Sequence, residues 1–137
     1  MASSGNNDLF SGGRKAMTGP ILAVVEDLIF LLKIQQTAQQ VGVSVEPVEL
    51  SKAQERLQQS PVCAVLLDLN YRSGSAVEAA RAIKADPAIS RVQVLGFLSH
   101  VQGDLARDAR LAGCDLVLAR SAFTQQLPQL LLKLAGQ

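Results

Sequence analysis

Residues 62–70 read VCAVLLDLN, an apolar run that ends in polar residues. Residues 62–67 are all apolar, so they show none of the alternation that marks a strand with one face in water. An uninterrupted apolar run of strand length is typical of a parallel sheet that helices cover on both faces. The run ends at Asp68, so the sequence predicts a carboxylate at the carboxyl end of a buried strand.

A strand followed by a helix is a unit that recurs on both sides of this stretch. Strands are predicted over residues 21–25, 43–48, 62–67, 92–98 and 115–119, and helices over 28–40, from 51, over 75–84, over 103–112 and from about 124. This alternation favours parallel strands joined by right-handed crossovers. The sequence therefore predicts an α/β fold, a three-layer αβα sandwich whose five-stranded parallel sheet has the flavodoxin-like order 2-1-3-4-5.

Local signals mark where several of these helices begin and end. Ser51 with Gln54, and Ser75 with Glu78, have the spacing of a capping box, which predicts helix starts at both serines. Gly42 is predicted to end the first helix because glycine tolerates a left-handed backbone.

Length and composition bound the class of protein. The chain has 137 residues, of which 48% are apolar, enough for the core of one domain. Residues 1–19 are rich in Ser, Gly and Asn and show no period, so they are predicted to be a flexible tail or leader, with the domain over 20–137. A net charge of +1 and 4% aromatic residues argue against nucleic acid as a partner.

Cysteine content and hydropathy bear on the cellular location of the protein. Cys63 and Cys114 are the only cysteines, too few for a zinc site or a disulfide framework. No apolar stretch approaches the length of a membrane span, and the first residues do not resemble a signal peptide. We therefore expect a cytoplasmic domain with no membrane partner.

Acidic residues follow two of the predicted strands, at the edge where a sheet of this order places its site. Glu26 and Asp27 follow the first strand, and Asp68 ends the third. Carboxylates grouped in this way suit Mg²⁺, and an aspartate beside Mg²⁺ can act as a nucleophile towards phosphorus. Arg120, after the fifth strand, could neutralise the oxygens of a transferred phosphoryl group.

These segments resemble the receiver domains of two-component response regulators. ILAVVED (21–27) and VLLDLN (65–70) are similar to that family's first and third strands with their acidic ends, and Gly113-Cys114-Asp115 is similar to the approach to the fifth. The separations also agree, with 41 residues from Asp27 to Asp68 and 52 from Asp68 to Arg120. The resemblance covers residues 20–135.

The resemblance implies a role for each site residue. Asp68 matches the phosphoacceptor, Glu26 and Asp27 match the acidic pair that holds Mg²⁺ with it, and Asn70 matches the residue whose backbone carbonyl reaches the metal. Arg120 stands at the family's Lys position. A histidine kinase or phosphotransfer protein would donate the phosphoryl group. Output would pass to a downstream partner protein, or through a homodimer formed by the fourth helix, fifth strand and fifth helix. The domain would signal and would be no enzyme beyond self-catalysed phosphoryl transfer and hydrolysis.

Several positions depart from the family pattern and mark an atypical receiver. The switch hydroxyl position falls on Leu98, and Ser99 serves only if the strand is shifted by one residue. The aromatic switch position falls on Val117, and Ser121 replaces the family's Pro. These departures favour an alternative, a pseudo-receiver that is never phosphorylated and acts as a constitutive interaction module.

A small-molecule-binding or enzymatic domain of the same fold, such as one that binds a nucleotide or flavin, is a third interpretation. No G-x-G-x-x-G follows a predicted strand, and no G-x-x-x-x-G-K-[ST] occurs in the chain. His100 is the only histidine, which argues against a metal cluster or catalytic triad built around it. We expect the acidic residues to carry the function instead.

Overall fold

Five parallel strands form one sheet at the centre of the molecule. The computed structural model describes residues 18–99 and 103–136. The strands lie in the order β2-β1-β3-β4-β5. They are β1 Ile21–Val24, β2 Val45–Pro47, β3 Ala64–Asp68, β4 Gln93–Leu98 and β5 Leu116–Ala119. The predicted fold class and strand order are confirmed.

Helices cover both faces of this sheet. They are α1 Leu28–Val41, α2 Ala53–Gln59 after a 3₁₀ turn at Leu50–Lys52, α3 Ala76–Ala85, α4 Gly103–Ala112, α5 Arg120–Gln125 and α6 Leu127–Leu134. One core joins the sheet to α2, α3 and α4, and a second core joins the opposite face to α1, α5 and α6.

The central strand β3 is buried on both faces. Val65 and Leu67 belong to the core beneath α2, α3 and α4, whereas Leu66 belongs to the core beneath α1, α5 and α6. β3 pairs with β1 on one side and with β4 on the other. This double burial explains why its sequence is an apolar run.

The two predicted capping boxes behave differently. The Ser75 side chain accepts a hydrogen bond from the backbone N–H of Glu78 at 3.1 Å, so α3 begins as predicted. The prediction at Ser51 is wrong, because Ser51 lies inside the 3₁₀ turn and α2 begins at Ala53 with no side-chain cap. The turn is fixed by its neighbours, since the Leu50 N–H donates to the Tyr71 hydroxyl.

The end of the chain also differs from the prediction. The sequence predicts a helix from about residue 124, but α5 begins at Arg120, directly after β5. No proline follows Arg120 to delay the helix, because Ser121 stands there. The helix then breaks at Gln126, and Pro128 lies in the first turn of α6, where its missing N–H needs no partner.

The predicted tail lies outside the described residues up to residue 17. Gly19 already packs on the fold, since it has a φ of 99° and its carbonyl accepts a hydrogen bond from Cys63 Sγ at 2.9 Å. The division at residue 20 therefore stays a prediction. Within the described part of the chain, no helix has the length and apolarity to cross a membrane.

The contrast between the two serines predicts a difference in stability. Ser75→Ala removes a cap from α3 and should lower the free energy of unfolding by about 1 kcal/mol. Ser51→Ala is the matched control, and we expect a change of less than about 0.5 kcal/mol. Urea denaturation measures both values. Equal losses in the two variants would contradict the assignment of the caps.

Candidate functional site

A cleft of about 470 Å³ opens at the carboxyl edge of the sheet. We call it the acidic cleft, and it is lined by Glu26, Asp27, Asp68, Asn70, Arg72, Phe97, Ser99 and Arg120. The structure thus brings together all the predicted site residues except Leu98. His100 lies outside the described residues. Arg72 and Phe97 were not predicted from the sequence.

Asp68 lies at the floor of the acidic cleft, at the end of β3. Among the described residues it is the one charged or polar residue that is buried, with 7% of its surface exposed. The backbone N–H of Glu26 donates to its Oδ2 at 3.3 Å, and the backbone N–H of Asn70 donates to its Oδ1 at 3.0 Å. Burial raises the pKa of the carboxyl, while these two hydrogen bonds and the charge of Arg120 oppose the rise.

The Glu26 carboxylate contacts the loop after β3. Its Oε1 accepts a hydrogen bond from the backbone N–H of Arg72 at 2.7 Å, which lowers the pKa of the Glu26 carboxyl. The Arg72 side chain is almost fully exposed, and its Nε lies 3.7 Å from the same oxygen. The Glu26 side chain therefore connects the loop after β1 to the loop after β3 through a hydrogen bond.

Asp27 makes two sets of contacts with its two oxygens. Its Oδ1 accepts from the backbone N–H groups of Ile29 and Phe30, which caps α1. Its Oδ2 accepts from Arg120 Nη2 at 3.0 Å. The hydrogen bond from Phe30, then that from Arg120, lower the pKa of the Asp27 carboxyl. Asp27 is therefore charged at neutral pH and already paired.

Asn70 joins the ends of β3 and β4. Its side-chain Oδ1 accepts from the backbone N–H of Ser99 at 2.6 Å. Ser99 is exposed at the rim of the acidic cleft, whereas Leu98 is 3% exposed and points into the core under α4. The position where the resemblance predicts a switch hydroxyl thus holds a core leucine, and Ser99 at the end of β4 lines the cleft.

One aromatic ring lies beneath Arg120, and two further rings pack against it. The Cζ atom of Arg120 is 3.9 Å from the centre of the Phe30 ring. Phe30 packs on Phe97 and on Phe123 with ring centres 5.3 and 5.8 Å apart, and those two rings stack at 4.7 Å. We call Phe30, Phe97 and Phe123 the aromatic cluster. Each of these residues lies two or three positions along the chain from Asp27, Ser99 or Arg120, and this proximity is the signal in the sequence that could have revealed them.

The oxygen donors of the acidic cleft fit a divalent cation in chemistry. Carboxylates and an amide are the ligands that Mg²⁺ prefers. In the described part of the chain, however, no three Asp, Glu, His or Cys side chains are grouped to hold a metal ion. Glu26 is held by Arg72 and Asp27 by Arg120. The metal role of Glu26, Asp27, Asp68 and Asn70 therefore stays a prediction.

Solved receiver domains are similar to this chain in structure. The receiver domain of the sensor histidine kinase PA1611 from Pseudomonas aeruginosa, solved with a magnesium ion in its active-site cleft, has a TM-score of 0.74 and 22% identity over 86% of this chain and 98% of its own. The phosphorylated cyanobacterial phytochrome response regulator RcpA gives 0.69 and 22% over 85% of this chain and 89% of its own. The chemotaxis protein CheY4 of Vibrio cholerae gives 0.73 and 16% over 84% and 97%.

The likeness establishes that the chain has the fold of a response regulator receiver domain. No protein-family model matches the sequence. No curated protein matches it either.

The raised pKa of Asp68 predicts how pH acts on stability. Below the ordinary carboxyl pKa, Asp68 is protonated whether the protein is folded or unfolded. In that range it adds no pH dependence to the free energy of unfolding. Between the ordinary pKa and the raised folded-state pKa, Asp68 is ionised to a greater extent in the unfolded chain than in the folded protein. Wild type therefore loses stability relative to Asp68→Asn as pH rises through this window. The stability difference between Asp68→Asn and wild type should therefore grow as pH rises from about 3 to 7.

Urea denaturation of both proteins across this pH range measures the effect. Asp104→Asn, which changes an exposed carboxylate on α4, is the control and should show no such trend. A difference that moves in favour of wild type as pH rises would contradict the raised pKa.

Proposed function

We propose that this chain is a receiver-type signalling domain that accepts a phosphoryl group on Asp68. The observation that carries the proposal is the placement of Asp68, buried at the end of the central strand with its carboxylate facing the acidic cleft. The likeness to solved receiver domains supports the same role. The two backbone N–H groups fix the orientation of the carboxylate before any donor arrives.

The chemistry is an in-line transfer. A carboxylate oxygen of Asp68 attacks the phosphorus of a phosphohistidine or a small acyl phosphate. The new oxygen–phosphorus bond forms as the bond from phosphorus to the donor atom breaks, and the donor atom keeps the electron pair. Arg120, whose charge already acts on Asp68, is a cation of the cleft that can stabilise the negative equatorial oxygens.

A divalent ion such as Mg²⁺ belongs to this proposal. Asp68, Asp27 and Glu26 would hold it through carboxylates, together with the backbone carbonyl of Asn70. When bound, it would neutralise charge on the phosphoryl oxygens. Ser99 is the hydroxyl that could contact the phosphorylated carboxylate, since it lines the same cleft.

The partners follow from this role. A histidine kinase or phosphotransfer protein would donate the phosphoryl group, and a downstream protein would bind the modified domain. The face formed by α4, β5 and the two last helices is our candidate for output or for a homodimer. There β5 is an edge strand, and Leu111 and Leu116 are 76% and 43% exposed. A cytoplasmic location stays part of the proposal.

A pseudo-receiver that is never phosphorylated is the second candidate. It is favoured by Leu98, which leaves no hydroxyl at the switch position, and by Arg120, which already pairs with Asp27. Such a domain would bind its partner constitutively through the same face. Phosphoryl acceptance separates the two candidates.

Intact mass after incubation with acetyl phosphate and Mg²⁺ tests acceptance. We expect wild type to gain about 80 Da, one phosphoryl group, and Asp68→Asn to gain nothing. Asp104→Asn is the matched control and should gain the same mass as wild type, because Asp104 is exposed on α4. Unmodified wild type would favour the pseudo-receiver, and a labelled Asp68→Asn variant would place the acceptor elsewhere.

A further inference from the structure

Arg120 is held in place by one charge and one aromatic face. Its Nη2 bonds to Asp27 Oδ2 at 3.0 Å, and its guanidinium lies 3.9 Å above the Phe30 ring. Its Nε is buried and has no hydrogen-bond partner among the described residues. Two contacts of different kinds, rather than a full set of hydrogen bonds, therefore set its position.

The aromatic cluster makes the Phe30 face a fixed surface. Phe97 and Phe123 are 1% and 0% exposed, and they stack with an angle of 13° between their planes. Phe30 packs against both of them from α1. The cluster thus joins β4, α1 and α5, and the ring under the guanidinium can move only if the core rearranges.

Arg120 takes the oxygen of Asp27 that a metal ion would need. The other oxygen, Oδ1, is already shared by two backbone N–H groups at the start of α1. A divalent cation takes carboxylate oxygens as ligands, and a guanidinium on the same oxygen blocks that oxygen and repels the cation by charge. Metal binding and the Asp27–Arg120 contact therefore oppose each other.

We propose that Arg120 is a resident cation that competes with a divalent metal ion for Asp27, and that Phe30 is the positioning residue that keeps it there. The inference rests on the proposed function only in treating the acidic cleft as the metal site. Acceptance of a phosphoryl group by Asp68 is not needed for it. With Asp27 as a ligand of a metal ion, the guanidinium of Arg120 would be free to contact the phosphoryl oxygens beside Asp68.

The competition for Asp27 depends on residue 120 being an arginine. A guanidinium is planar, so it can lie flat on the Phe30 ring and still donate to a carboxylate at its edge. A lysine ammonium is a point charge without such a plane and is hydrated more strongly. Arginine at this position therefore strengthens the competition beyond what the family's lysine would give.

The test uses Mn²⁺ as the probe ion, and electron paramagnetic resonance measures the Mn²⁺ that remains free. Arg120→Gln should bind Mn²⁺ about three- to tenfold more tightly than wild type, the factor that a half-exposed ion pair with a cation–π contact represents. Phe30→Leu keeps the arginine but removes the ring, and should tighten binding about two- to threefold. Circular dichroism confirms that each variant is folded.

Arg110→Gln is the matched control. Arg110 is an exposed arginine of α4 outside the lining of the acidic cleft, so its removal changes net charge by the same amount. We expect an affinity for Mn²⁺ within twofold of wild type. Tighter binding in Arg120→Gln with an unchanged control supports the inference.

Other results would overturn it. They are equal or weaker binding in Arg120→Gln, the same gain in Arg110→Gln, or no Mn²⁺ binding by any variant. If Phe30→Leu does not fold, the comparison of Arg120→Gln with its control still decides the competition. None of these measurements uses a phosphoryl donor, so failure here is distinct from failure of Asp68 to accept one.

Discussion

Asp68 lies at the end of a strand that is buried on both faces, and only 7% of its surface is exposed, at the floor of the acidic cleft. A charge in such a place is costly unless hydrogen bonds compensate it. Backbone N–H groups of Glu26 and Asn70 provide that compensation, and they belong to the loops after β1 and β3. The conformation of both loops, and with it the shape of the acidic cleft, depends on this one buried group.

The acidic residues around Asp68 are arranged by long-range contacts. Glu26 reaches Arg72 and Asp27 reaches Arg120, so each carboxylate has a partner from another part of the chain. The aromatic cluster below Arg120 connects this side of the cleft to α1, β4 and α5. The site is therefore a set of paired charges on a rigid base, in which a donor or metal ion must replace existing contacts.

The sequence could predict what depends on local pattern. Apolar runs and their spacing predicted the parallel sheet and its order, and they placed Asp68 at a strand end. The capping bond of Ser75 was equally local, whereas the apparent cap at Ser51 was lost to a 3₁₀ turn held by Tyr71. The orientation of the Glu26 and Asp27 side chains could not be predicted from the sequence, because their partners lie 46 and 93 residues further along the chain.

In the proposed function Asp68 is the reactive group, and the backbone amides of Glu26 and Asn70 hold its carboxylate. Amide ¹H–¹⁵N NMR spectra recorded during exposure to acetyl phosphate and Mg²⁺ test it most directly, with spectra in Mg²⁺ alone as the reference. We expect the Glu26 and Asn70 resonances to shift as the phosphoryl group is added, because both N–H groups donate to the modified carboxylate. A protein that gains the phosphoryl group while these two resonances keep their positions would contradict it.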